Sequence, residues 1–447
     1  MYHSVHERGI TLPAWVEHAV FWHLYPLGFV GADIRPTAPP LLAHRLDHLL
    51  NWLDYAVDLG VSALMLGPVF AATTHGYDTT DHFRIDPRLG DDGDFDRLVA
   101  EAKARGLRIV LDGVFNHVSR SHPFVKDVLE HGTSSPKAAW FRYTAEGAFD
   151  TFEGHRNLVA LNGGNAEVED YVRRVMLHWL DRGASGWRLD AAYAMAPDFW
   201  ARVLPGVRAS HPDAFIFAEM IHGDYAGFVR ESGVDSVTQY ELWKAIWSAL
   251  NDRNFFELGW ALDRHNGFLD HFIPQTFVGN HDVTRLASRL DDVATLEHAL
   301  ALLSMVGGIP SVYAGDEQAF HGIKTEGEGG DDAVRPAFPE SPQDLWPDGW
   351  PVYRRHQELI GLRRRHPWLV RARAKTALLE NTRLVLELTD GARRLFLALN
   401  LAGSTSFSVP DARGVLAGRD AHLSGAGDDA RLHLGEKGWA VLSTALC

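Results

Sequence analysis

Cysteine is nearly missing from this chain: Cys447, the last residue, is the only one among 447. A single thiol closes no intrachain disulfide, so nothing in the fold depends on an oxidising compartment. No run of about 18 apolar residues occurs, which excludes a membrane-spanning helix. Basic charge is outweighed as well. Lys and Arg number 43 against 58 Asp and Glu, for a formal net charge of −15. That balance argues against nucleic acid or an anionic membrane surface as a partner, because both are held by basic patches. The N-terminal stretch MYHSVHERGITLPAW has no basic segment followed by an apolar one. No signal peptide is expected there, and a cytoplasmic location is the simplest reading. Internal repeats and low-complexity tracts are missing too.

What is present is a globular composition, 46% hydrophobic and 23% charged, with enough length for two or three domains. Four widely separated segments read as buried strands that stop abruptly in polar residues. They are residues 109–117 (IVLDGVFNH), 186–192 (GWRLDAA), 215–220 (FIFAEM) and 276–285 (TFVGNHDVTR). Each ends in a carboxylate: Asp112, Asp190, Glu219 and Asp282. A strand buried on both faces should stay apolar, and an unpaired buried carboxylate costs several kcal/mol. Four such endings are better explained by strands converging on one polar site, as at the C-terminal ends of the strands of a (β/α)8 barrel.

The remaining pattern supports α/β organisation as a TIM barrel. Apolar runs alternate with helix-period runs through about residue 365. Eight strands are predicted at residues 20–26, 63–70, 109–115, 186–190, 215–219, 236–240, 276–279 and 308–313, the sixth being the weakest. Between them, Phe95, Leu98, Val99 and Ala102 form one apolar helix face ended by Gly106, and Val172, Val175, Met176, Trp179 and Leu180 form another ended by Gly183. The long connection after strand three is predicted to be a small domain B over the barrel mouth. After about residue 373, short alternating runs such as residues 383–388 (RLVLEL) and 394–399 (RLFLAL) predict a C-terminal antiparallel β-sandwich domain. The predicted division is therefore 1–116 with 166–372 for the barrel, 117–165 for domain B and 373–447 for the C-terminal domain.

Two carboxyl groups in different environments are what glycosidic cleavage needs, one to protonate the leaving oxygen and one to act on the anomeric carbon. Arg188 lies two residues before Asp190, on the same side of a strand, and is expected to hold Asp190 ionised as a nucleophile. The apolar lead-in 215–218 is expected to desolvate Glu219 and suit it to act as general acid. Asp282, beside His281, is expected to stabilise positive charge in the transition state. Asp112 and Arg285 read as structural partners, and Trp52, Trp140 and Phe141 as core. Tyr193 is expected to line the next subsite, and His75 reads equally as a site residue or a loop histidine. His44 and His48 have one-turn helical spacing. They lack a Glu within the motif, so a wetted helix face is expected and no metal ligand is assigned.

These segments resemble the α-amylase superfamily, glycoside hydrolase family 13, over nearly the whole chain. Residues 112–117 (DGVFNH) are similar to its first motif, 186–192 to the second, Glu219 to the third and His281–Asp282 to the fourth. Residues 76–78 (GYD) and 308–317 (GIPSVYAGDE) add further likeness. The resemblance implies Asp190 as nucleophile, Glu219 as acid/base and Asp282 as transition-state stabiliser, with Tyr77, His117, Arg188 and His281 binding substrate. It implies a retaining α-glucoside hydrolase, and the segments 20–29 and 75–90 resemble the cyclomaltodextrinase and neopullulanase group. The expected substrates are short or cyclic maltooligosaccharides, including a ring of the cyclic maltosyl-maltose type. A transglycosylase or isomerase on the same machinery is the alternative; an endo-acting starch amylase or an inactive binding barrel ranks below it. Positions 193 and 194 hold Tyr and Ala where many α-amylases have Lys and His. No cofactor is expected to be required; a structural calcium at domain B has Asn116 in its favour and those two positions against it. A homodimer that walls off the cleft would suit small substrates.

Overall fold

Eight parallel strands pair in the order sixth, fifth, fourth, third, second, first, eighth, seventh, in the computed structural model of the chain, which describes residues 12–444. The start of the N-terminal stretch discussed above, residues 1–11, and Cys447 lie outside the described residues. In chain order the strands are Phe21–Leu24, Ala63–Leu66, Arg108–Gly113, Gly186–Leu189, Phe215–Ala218, Ser236–Val237, Gln275–Phe277 and Ile309–Tyr313. A parallel bridge between Thr238 and Gln275 joins the sixth to the seventh and closes the barrel. The weakest predicted strand is also the shortest, at two residues.

The period-2 alternation of each strand divides the barrel wall into an inner and an outer face. Trp22, Leu64, Leu111, Trp187 and Ile216 point outward into one continuous core with the surrounding helices. Phe21, Ala63, Val110, Phe215, Phe217 and Ile309 point inward and fill the lower interior. One pleat further along the same inward rows the residues turn polar: His23, Asp112, Arg188 and Ser311, all buried. The polar site is thus the top layer of an otherwise apolar barrel plug.

Helices Asp92–Ala104 and Ala166–Asp181 occupy the predicted places, and the buried residues include Phe95, Leu98, Val172, Met176 and Trp179. Asp91 closes the first with a capping box, and the Asn165 side chain caps the second. Both helices are followed by glycines at positive φ, Gly106 at 76° and Gly183 at 102°, a conformation that terminates a helix and costs a residue with a Cβ. His44 departs from expectation. The helix there runs Leu46–Leu50, so only His48 is on it. His44 sits before it and pairs with Asp94 at 2.7 Å.

The segment after the third strand carries a two-stranded antiparallel pair, His117–Ser119 with Leu158–Ala160, and the helix Pro123–His131. Trp140 and Phe141 are buried in it, as expected for core. Six antiparallel strands follow residue 372. One face of that sheet, with Leu384, Leu386, Leu397 and Trp439, shares a core with barrel helices. The other face, with Phe396 and Leu442, packs against Phe407 and Leu432 as the long last strand folds the sheet over itself.

Candidate active site

Four acidic side chains from four separate strand ends meet at a single guanidinium. Arg188, on the fourth strand, places Nη1 2.6 Å from Asp112 Oδ2 and 3.1 Å from Asp190 Oδ1. Its Nη2 is 2.6 Å from Glu219 Oε1 and 4.0 Å from Asp282 Oδ2. Strand register explains the first contact, because Asp112 and Arg188 are direct neighbours in the parallel pairing. The second follows from the i, i+2 relation along the fourth strand. All three catalytic candidates and Arg188 therefore occupy one site.

The electrostatics differ from expectation at Asp190. Burial and the adjacent Glu219 charge raise its pKa well above the usual carboxylate range, against the opposing pull of Arg188. The reason is sharing: one positive charge serves several carboxylates and cannot keep each ionised. Burial raises Asp112 too, again opposed by Arg188. Arg188 itself stays charged, since the surrounding carboxylates outweigh its desolvation. The environment of Glu219 also differs from the expected apolar one. Its oxygens meet hydrogen-bond donors: Arg188, the Tyr240 hydroxyl at 3.2 Å and the Ala191 amide at 3.0 Å. Ala191 adopts φ 43° and ψ 39°, a left-handed conformation unfavourable for a residue with a Cβ, and in it aims that amide at Glu219.

Asp282 is the opposite case. Burial alone would raise its pKa, but His281, Arg335 and Arg188 together hold it well below the usual range. His281 Nε2 lies 2.9 Å from Oδ2, and Arg335 Nη2 lies 2.7 Å from Oδ1. The Asp282 side chain keeps 31% of its surface open, the most exposed of the four carboxylates.

The remaining candidates surround this cluster. Tyr77 stacks its ring on His281, centroids 5.4 Å apart and planes 6° from parallel. Its hydroxyl contacts His281 Nε2 and donates to Asp112 at 3.1 Å. Tyr193 is half-buried and donates to Glu153 at 2.9 Å, reaching across to the inserted segment. His117 is placed beside the site but both ring nitrogens face protein groups, the Tyr77 carbonyl at 2.9 Å and the Asn116 amide at 3.2 Å. Burial pushes it down to about 4, so it is neutral. The first of these contacts holds the Tyr77 backbone beside the site. His75 accepts from the Tyr77 amide at 3.2 Å. Arg285 pairs with buried Asp316 at 2.9 Å, the structural role expected.

Sequence reasoning missed Arg335, Tyr240, Tyr25 and His23. Arg335 donates to the His281 carbonyl at 2.9 Å and lies over the Tyr25 ring at 4.7 Å. His23 meets His281 Nδ1 at 3.1 Å. The i, i+2 spacing of His23 and Tyr25 with Phe21 was the available signal for the first strand; nothing local singles out Arg335.

As for metals, Asn116 Oδ1 is buried with no hydrogen-bond partner among the described residues. The one trio of metal-ligand side chains among them is elsewhere, at His44, Asp91 and Asp94. Asp94 there is already committed to the helix cap, His44 and Arg97.

Residues 44–375 match the family model described as the alpha amylase catalytic domain. A cyclomaltodextrinase from a Bacillus species is 30% identical over 340 residues, 69% of this chain and 61% of that protein. The chain thus spans about three-fifths of that relative's length. Neopullulanase 2 of Thermoactinomyces vulgaris is 29% identical over 405 residues, 84% of this chain and 68% of the relative. Among solved structures, the cyclic α-maltosyl-(1→6)-maltose hydrolase of Arthrobacter globiformis superposes with a TM-score of 0.81 at 28% identity, covering 97% of this chain and 100% of the other. A debranching enzyme from Nostoc punctiforme gives 0.80 at 26% identity, with the same coverage.

Proposed function

This chain belongs to the alpha-amylase family, and from that premise we propose that it hydrolyses α-glucosidic bonds of short or cyclic maltooligosaccharides, with retention, through a covalent glycosyl–enzyme intermediate. The observation that carries the reading is the convergence of Asp190, Glu219 and Asp282 on the Arg188 guanidinium. Asp190 attacks the anomeric carbon while the bond to the leaving oxygen breaks and Glu219 gives that oxygen a proton. In the second half, water loses a proton to Glu219 and its oxygen displaces Asp190 from the same carbon. Burial and the neighbouring Glu219 charge favour a proton at Asp190; the reactive form is the one in which Asp190 is ionised and the proton lies on the carboxyl facing the leaving group. Asp282, held ionised by His281 and Arg335, suits the stabilisation of an oxocarbenium-like centre. Side chains supply every step of this chemistry.

The relatives' names favour small or cyclic α-glucans as substrates: a cyclomaltodextrinase, a neopullulanase and a cyclic maltosyl-maltose hydrolase. The test is the product profile from maltotriose, pullulan, soluble starch, a cyclodextrin and cyclic maltosyl-(1→6)-maltose, each with and without glucose as acceptor. Release of glucose or maltose from the small or cyclic substrates, faster than from starch, is expected. Faster cleavage of starch refutes the substrate class. Products dominated by new linkages to the acceptor would assign transglycosylation instead.

A further inference from the structure

We infer that Tyr240 is a positioning residue for Glu219: its hydroxyl, aimed by Asn280, fixes one oxygen of that carboxyl for proton transfer. The inference rests on the acid/base reading of Glu219 given above.

The direction of each hydrogen bond follows from what its atoms can do. The Asp282 backbone N–H can only donate, and it donates to Asn280 Oδ1 at 2.9 Å. That contact fixes which end of the Asn280 amide faces which way. Asn280 Nδ2 therefore points at Tyr240 and donates to its hydroxyl at 2.9 Å. With that lone pair used, the single phenolic hydrogen goes to Glu219 Oε1, 3.2 Å away. Burial and the charges of Glu219 and Asp282 push the Tyr240 pKa up, so the hydroxyl keeps its proton throughout the working pH range. A relay thus runs from the backbone of one acidic candidate, through two side chains, to the carboxyl of another.

The rest of the packing holds the relay in register. The Tyr240 ring meets Phe277 edge-on at 4.9 Å and Trp243 at 5.8 Å. Tyr240 also opens the helix Tyr240–Asn251, whose start is capped by Gln239. Glu219 is consequently gripped at both oxygens, by Tyr240 and Arg188 at Oε1 and by the Ala191 amide at Oε2. The charged and titratable groups around it are Arg188, Asp112, Asp190, Asp282 and Tyr193, with His23 and Tyr240 lining the small space beneath.

A donor that gives its hydrogen to Glu219 binds the carboxylate form more tightly than the acid form. Removing it favours the acid form of Glu219 relative to the wild type and leaves Oε1 held by Arg188 alone. In Tyr240→Phe the alkaline limb of the kcat/KM profile should move up by about one pH unit, the shift expected for one lost charge-assisted hydrogen bond. With maltotriose, kcat near neutrality should fall about tenfold, from the lost aim of the proton donor. A dinitrophenyl maltoside, whose leaving group needs no proton, should lose far less in its glycosylation step. Asn280→Ala keeps the hydroxyl but removes its aim; it should move the limb the same way by a smaller amount, and it serves if Tyr240→Phe melts early. A limb that stays put in both variants, with equal losses on both substrates, assigns Tyr240 to packing alone and overturns the inference. Wild type that cleaves maltotriose while the limb is unmoved sinks the Tyr240 inference only. Wild type that cleaves no α-glucoside sinks the acid/base reading and this inference with it.

Discussion

Replacing Glu317 by Gln should remove a pH-dependent loss of stability that the native barrel carries. Glu317 follows the eighth strand and is fully buried. Tyr55 donates to Oε1 at 3.0 Å, and Trp22 Nε1 at 3.4 Å and the Gly315 amide at 2.9 Å donate to Oε2. None of these donors is a cation. Burial first, with the neighbouring Asp316 charge, raises the carboxyl from 4.5 to about 7 against these hydrogen bonds. That rise, at roughly 1.4 kcal/mol per pH unit, amounts to about 3 kcal/mol. The sign follows from proton counting. Between pH 4.5 and 7 the folded chain holds a proton here that the unfolded chain has lost, so this contribution is complete below about 4.5 and is lost as pH rises through 7. Gln cannot titrate. It does turn an amide toward the Tyr55 hydroxyl, which already accepts from Gln318 at 2.8 Å, and that adds a penalty independent of pH. Urea unfolding of both proteins from pH 5 to 8, read by tryptophan fluorescence, isolates the titration as a difference. The variant should gain on the wild type by about 2–3 kcal/mol across that window. A difference that stays flat with pH would refute the reasoning.

Glu219→Gln should lower turnover of maltooligosaccharides by about 10²–10⁴, with circular dichroism unchanged; near-normal rates would refute its role. Arg188→Lys keeps one charge but replaces a planar fork that now contacts Asp112, Asp190 and Glu219 by a point donor that cannot serve all three. Its activity should fall at least tenfold and its melting temperature drop measurably; wild-type values for both would show the fork to be dispensable.

Much of this site was legible because buried parallel strands leave a plain signature. Apolar runs that end in Asp112, Asp190, Glu219 and Asp282 gave their positions along the chain, and the i, i+2 rule gave the Arg188–Asp190 contact. What the runs do not encode is lateral register. The pairing of Asp112 with Arg188 across strands makes the guanidinium a shared resource, so burial and the Glu219 charge raise the Asp190 pKa where a lowered one was expected. Arg335 and Tyr240 were invisible for another reason. Their partners are 53 and 21 residues away in sequence, one in a Gly- and Asp-rich loop and one at a helix start, where no periodicity marks a functional side chain. His44 misled because i, i+4 spacing looks the same whether or not the first residue belongs to the helix, which here begins at Leu46.

Trapping the covalent intermediate tests the central claim most directly. Incubation with a 5-fluoro α-glucosyl fluoride, followed by peptide mass spectrometry, should add one fluoroglucosyl group to the peptide containing Asp190 and to no other. A label on a different carboxylate, or steady turnover of that reagent by inversion with no adduct at all, would contradict the site assembled around Arg188.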